Sequence, residues 1–229
     1  MGKRQESRDR IERQIVELGR AHLVASGGAG LSVRAIAREL GMVSSAVYRY
    51  VASRDDLLTL LLVDAYTELA DSVELAGRST RGAWTEQLLA MARAARHWAV
   101  TQPACWALLY GSPVPGYHAP AELTVGPGTR VVGAMFTVVA EGIAAGDVPV
   151  SNAVVAQPTS SDFERLRAEF GFAGDDATVM KCLVLWAGLV GAISLEVFGQ
   201  YGSDTLTDAS AVFDGQVGLL TRVLTTSGQ

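Results

Sequence analysis

The stretch VRAIARELGMVSSAVYRY, residues 33–50, decides the reading of this chain. Within it Ala37 is followed by Gly41 and then Val47, the spacing that two short helices meeting at a sharp turn require. A small residue must stand where the second helix crosses the first. A glycine must stand where the turn needs a left-handed backbone, and an apolar residue must lock the second helix down. Ala37, Gly41 and Val47 fill those places, with Ile36, Leu40 and Met42 beneath them. The pattern predicts one helix from Val33 to Leu40, with Ser32 as its N-cap, and another from Ser44 to Tyr50. The second helix of such a pair can lie in a DNA major groove with its N-terminal side chains at base edges. Ser44, Ser45, Tyr48 and Arg49 are the candidates for base contact, and Ser32, Arg34, Tyr50 and Arg54 for phosphate contact. The same spacing also fits an ordinary helical hairpin, so the surroundings must decide.

Charge is the first part of those surroundings. The whole chain carries a net charge of −5, which alone argues against nucleic acid. Residues 1–54, however, hold ten Lys/Arg against five Asp/Glu, while the other 175 residues hold nine against nineteen. A net of +5 is therefore joined to a net of −10, and only the N-terminal end can face phosphates.

Helical periodicity runs through nearly all of the rest. Ile11, Ile15, Leu18 and His22/Leu23 form one stripe of a first helix from about Ser7 to Ala25, which the glycines of 26–30 break. Ser53-Arg54-Asp55-Asp56 before Leu57 has capping-box spacing and opens a long fourth helix to about Ala76. Further helices are predicted at about Arg81–Gln102, Pro103–Tyr110, Thr129–Ala145, Asp162–Phe170, Asp176–Gly199 and Asp208–Thr225, with an ordered loop over Gly111–Pro127. No β-alternation persists. The expected fold is all-α, a three-helix DNA-binding domain over residues 1–54 joined to a larger helical body over residues 55–229.

Residues 8–65 resemble the DNA-binding domain of the tetracycline-repressor (TetR) family at Ile36-Ala37, Gly41, Tyr48, Tyr50, Asp56 and Leu57. They depart from its pattern at Val43, where a capping serine is usual, at Val51 and at Arg54, so Ser44 is the expected cap. Trp186-Ala-Gly-Leu-Val-Gly191, with Tyr110–Tyr117, is similar to a subgroup whose C-terminal domain carries a Trp-x-x-x-His-Gly segment; Val190 stands in place of that histidine. The resemblance implies a regulator, by default a repressor. It also implies a homodimer on a palindromic double-stranded DNA operator, paired through the last two helices, and a small ligand in the body.

In the body, Trp84, Met91 and Trp98 recur every seven residues and so share one helix face, which Trp106, Tyr110, Phe136 and Trp186 can join. Such a stripe is either core or the lining of a cavity, and the resemblance points to the second. Polar groups nearby are few (Gln87, His97, Tyr110 and Glu141), which suits a largely apolar, uncharged ligand. Gly188 and Gly191 give the penultimate helix a small-residue face, opposite Val212, Val217/Leu219-Leu220 and Leu224 of the last, and Leu195 is expected beside them. A DNA-binding dimer without an effector is the competing reading.

Other chemistries find no support. Three histidines and two cysteines lack metal-ligand spacing, no nucleophile elbow or phosphate loop occurs, and no cofactor is expected. The charged N-terminus shows no secretory pattern and no uninterrupted apolar run approaches a membrane span, so a cytoplasmic protein is expected.

Overall fold

The computed structural model describes residues 3–150, 155–202 and 204–226. All regular structure among them is helical: α1 (Lys3–Ser26), α2 (Val33–Glu39), α3 (Ser44–Val47), α4 (Arg54–Ser79), α5 (Trp84–Thr101), α6 (Pro103–Tyr110), α7 (Ala121–Ala144), α8 (Thr159–Phe170), α9 (Asp176–Val197) and α10 (Ala209–Thr225). A single 3-10 turn, Gly28–Gly30, joins α1 to α2.

The chain forms two compact units whose boundary differs from the expected division at residue 54. The first comprises residues 1–68 together with 102–128, and the second comprises 69–101 with 129–229. The reason is packing. Ile15, Leu23, Leu31, Val33, Ile36, Ala37, Val47, Val51, Leu57, Leu58 and Leu61 make one buried core, and Ala104, Leu108, Val114 and Tyr117 close over it. The Tyr117 and Thr59 hydroxyls are 2.9 Å apart. Three isolated helices of this size have too little apolar surface to bury, so α6 and the loop after it complete the first core.

Within that unit the local signals act as the residue types demand. The Ser32 hydroxyl accepts from the Ala35 N–H, capping α2. At the other end Gly41 adopts φ 65°, and the N–H groups of Gly41 and Met42 donate to the carbonyls of Arg38 and Ala37. That pairing is a Schellman close, which needs a residue free to enter the left-handed region. Ser53 Oγ accepts from the Asp56 N–H at 3.0 Å, opening α4. Three expectations need correction. Val43, not Ser44, holds the N-cap position of α3, with no side-chain cap. Helix α3 ends at Val47, and a tight turn, Tyr50 N–H to Val47 carbonyl, carries the chain to Tyr50. Helix α7 begins at Ala121 and runs through Pro127, inside the expected loop. Pro127 gives up its bond to the carbonyl of residue 123 and crowds it, a cost of about 3 kcal/mol that packing along the rest of α7 has to offset.

The second unit buries Trp84, Leu88, Met91, Trp98, Met135, Phe136, Val179, Leu185, Ile193, Phe213 and Val217, among others. Phe136 stacks on Phe170 at 5.1 Å and meets Phe172 edge-on at 4.7 Å. Asp176, 4% exposed, is a buried charge of this unit. It takes Arg167 Nη1, Ser160 Oγ and the Val155 N–H, which together fasten residues 155–167 to the head of α9. These donors stabilise the carboxylate and hold its pKa below the ordinary value. Helices α7 and α9 are each long and apolar enough, by length and composition, to cross a membrane. Helix α9 uses part of that surface against α5, α8 and α10.

Candidate nucleic-acid interface

On the first unit, Ser45, Tyr48 and Arg49 are exposed, Ser44 is half-buried, and Val47 between them is fully buried. Burial of Val47 locks the element while Ser45, Tyr48 and Arg49 stay exposed, the arrangement a recognition helix requires. Arg34 and Arg38, one turn apart on α2, are exposed beside it. Arg34, Arg38 and Arg49 enter no ion pair among the described residues. By contrast Arg8 pairs with Glu12, and Arg20 with Asp64 and Glu68. The arginines of the α2–α3 face are thus exposed and free of an acidic partner among the described residues, as a phosphate contact requires.

Two of the expected phosphate residues have structural partners. Tyr50 is half-buried, with the Arg8 guanidinium 5.8 Å above its ring. Arg54 Nη2 donates to the Gly28 carbonyl at 2.9 Å and lies 3.6 Å from Asp55, tying the start of α4 to the glycine turn. Ser32 is occupied as a cap. Sequence reasoning missed Arg38, whose signal was its place four residues after Arg34. It also passed over Val43, which is 71% exposed at the head of α3 and offers an apolar group of the kind that meets a thymine methyl.

The seven residues expected around a ligand are drawn from both units. Trp106 and Tyr110 belong to the first unit, with ring centroids 4.4 Å apart. Burial, and then Tyr66, push the Tyr110 phenol far above its ordinary pKa. Trp84, Met91, Trp98, Phe136 and Trp186 belong to the second unit. Of these, Trp84 donates its Nε1–H to Asp147 at 2.9 Å, Trp98 is buried with no partner for its Nε1 among the described residues, and Trp186 is half-buried. Met91 lines a groove of about 530 Å³ with residues of α4, α5 and α7.

The last two helices carry a further surface. Met180, Leu183, Val184 and Leu195 on α9, and Val212, Leu219 and Val223 on α10, are all more than a third exposed. Gly191 has open space beyond its Cα, whereas a side chain at Gly188 would meet Leu220 at 2.7 Å. Gly188 therefore serves the packing of α9 on α10 within the protomer, and Gly191 lies on the open side.

A glycine-locked helix-turn-helix with exposed arginines, followed by a helical body, is the form of a DNA-binding transcriptional regulator. Residues 88–220 match the family of tetracyclin repressor-like C-terminal domains. The chain is 64% identical over 225 residues to the HTH-type transcriptional regulators Rv1816 of Mycobacterium tuberculosis and Mb1846 of Mycobacterium bovis, covering 98% of this chain and 96% of each relative. The crystal structure of regulatory protein SCO4313 superposes with a TM-score of 0.76 at 26% identity, over 96% of this chain and 98% of that one. FadR of Bacillus subtilis, solved with stearoyl-CoA, shares the fold with a TM-score of 0.65 at 13% identity, over 91% of this chain and 96% of that one. The chain belongs to the TetR family of transcriptional regulators.

Proposed function

We propose that the protein is a ligand-responsive repressor that binds a palindromic operator as a homodimer and leaves it when a small, largely apolar molecule occupies the body. The observation that carries the DNA half is the set of exposed, unpaired Arg34, Arg38 and Arg49 around Ser45 and Tyr48. Ser44, Ser45, Tyr48 and Arg49 read bases, and Arg34 and Arg38 hold phosphates. Ser32, Tyr50 and Arg54 act mainly by fixing the reader. The dimer is supported by the apolar stripe on α9 and α10, since one reader covers only a half-site and two must stand about 34 Å apart or a multiple of it. That FadR, a protein of this fold, was solved with stearoyl-CoA supports a ligand for the body. A ligand can release DNA only by favouring a conformation whose readers are wrongly spaced.

The test is selection of genomic fragments by the purified protein, followed by footprinting and sedimentation. A symmetric footprint with two half-sites and a dimer at micromolar concentration are expected. A single half-site bound by a monomer overturns the proposal.

A further inference from the structure

The groove in the second unit has a chemistry that the aromatic stripe did not suggest. Its lining comes from α4 (Glu74, Gly77, Arg78) and Thr80 just after it, from α5 (Gln87, Met91) and from α7, between Arg130 and Glu141. Those two residues of α7 are eleven apart, so at 1.5 Å per residue the groove extends roughly 16 Å. Its middle is apolar and adaptable. Met91 lies against Gly77, with Sδ 3.0 Å from where a Cβ would stand, and Ala134 and Val138 complete the floor. Glycine at 77 is what leaves room for the thioether, a side chain that reshapes easily around a guest.

The two ends differ electrically. At the first, Arg130 binds Glu74 at 3.0 Å and Asp71 at 2.7 Å, and Arg78 closes on Glu74 at 3.1 Å. These two cations and two anions cancel, and the Glu74 carboxyl is held below its ordinary pKa by Arg130. At the second end the Glu141 carboxylate has a neutral partner. Gln87 Nε2 donates to its Oε2 at 2.9 Å, and its other oxygen takes no bond among the described residues. The groove therefore ends on a carboxylate with no cationic partner among the described residues, in a unit (residues 69–101 and 129–229) that holds nine Lys/Arg against fourteen Asp/Glu. Both the local carboxylate and the long-range field favour a cation.

We infer that this groove binds an amphipathic cation, with a protonated amine at Glu141 and an apolar body over Met91, Ala134 and Val138. The inference rests on the reading of the protein as ligand-responsive and replaces the uncharged ligand expected from the sequence.

The experiment uses the full-length protein and three probes with one apolar body: 4-phenylbutylamine, 4-phenylbutanol and 4-phenylbutyrate. Binding is measured by calorimetry, and release of a bound genomic fragment by fluorescence anisotropy. The amine is expected to bind at least tenfold more tightly than the alcohol or the carboxylate. Glu141→Gln, at an exposed position, should erase that preference without shifting the thermal midpoint. Met91→Trp should abolish binding of all three probes, and Ala134→Leu repeats that test should the tryptophan disturb folding. Equal binding of the three probes, preference for the carboxylate, no binding at all, or a preference that survives Glu141→Gln would each overturn the inference. Binding of the amine through Glu141 with no release of DNA would uphold the groove while refuting the ligand-responsive reading.

Discussion

The segment after α6 belongs to the reader's core, and a single glycine exposes that dependence. Gly28 lies under Val114: a Cβ at residue 28 would stand 2.8 Å from Val114 Cγ2, where 3.4–4 Å is ordinary contact. Gly28→Ala must push Val114 outward, and overpacking of this kind costs about 1–3 kcal/mol. The backbone at Gly28 is not left-handed, so alanine is otherwise admissible there and restricts the unfolded chain, offsetting about 0.4–1 kcal/mol. The clash wins, with a net loss of roughly 1–2 kcal/mol against a typical total of about 5–15 kcal/mol. In a Val114→Ala background the colliding methyl is gone and the next neighbour, Leu58 Cδ2, lies at an ordinary 3.5 Å. There the same substitution should be neutral or mildly stabilising. A double-mutant cycle by urea unfolding at fixed protein concentration should thus return a coupling of about 1–3 kcal/mol. Hydrogen exchange across residues 23–40 reports on the reader itself, and DNA affinity should fall with the single variant and recover in the double. An equal cost of Gly28→Ala in both backgrounds would refute the packing of this segment on the glycine turn.

Other outcomes follow from the same contacts. Tyr48→Ala with Arg49→Ala should lower operator affinity, by about 1–3 kcal/mol if Arg49 makes a bidentate base contact; unchanged affinity in a mobility-shift titration counts against the α3 assignment. Arg38→Ala should weaken all DNA sequences alike and reduce the salt slope by about one, as salt titrations can read. Gly191→Leu points into open space, so it should yield a folded monomer by sedimentation, whereas Gly188→Leu, which meets Leu220, should lower the melting temperature. The Asp176 carboxyl has a depressed pKa when folded, so its contribution is present at neutral pH and is lost as the pH falls through that folded value. Asp176→Asn should therefore be less stable at pH 7, and urea midpoints of the two proteins should converge below about pH 4.

What could be read along the chain and what could not divide by the range of the forces involved. The α2–α3 turn was legible because its causes are local: Ser32 caps the helix that follows it, and Gly41 alone can take the left-handed φ of the close. Trp84, Met91 and Trp98 were legible as one helix face because seven residues span two helical turns, and the structure buries all three. Pro127 misled because proline marks boundaries only on average, and its helix draws on packing along α7 that no short window contains. Partners distant in sequence were hidden altogether. Nothing near Arg54 announces that it spends its guanidinium on Gly28, and nothing near Val190 distinguishes Gly188, which packs on Leu220, from Gly191, which faces open space. The charge asymmetry of the two ends of the chain is a property of composition, so the sequence by itself determined which end is basic and suited to meet an anion. Which arginines are left unpaired to do so, and which carboxylate closes the groove without a cationic partner, depended on partners 44 or 54 residues away, and only the tertiary structure could decide it.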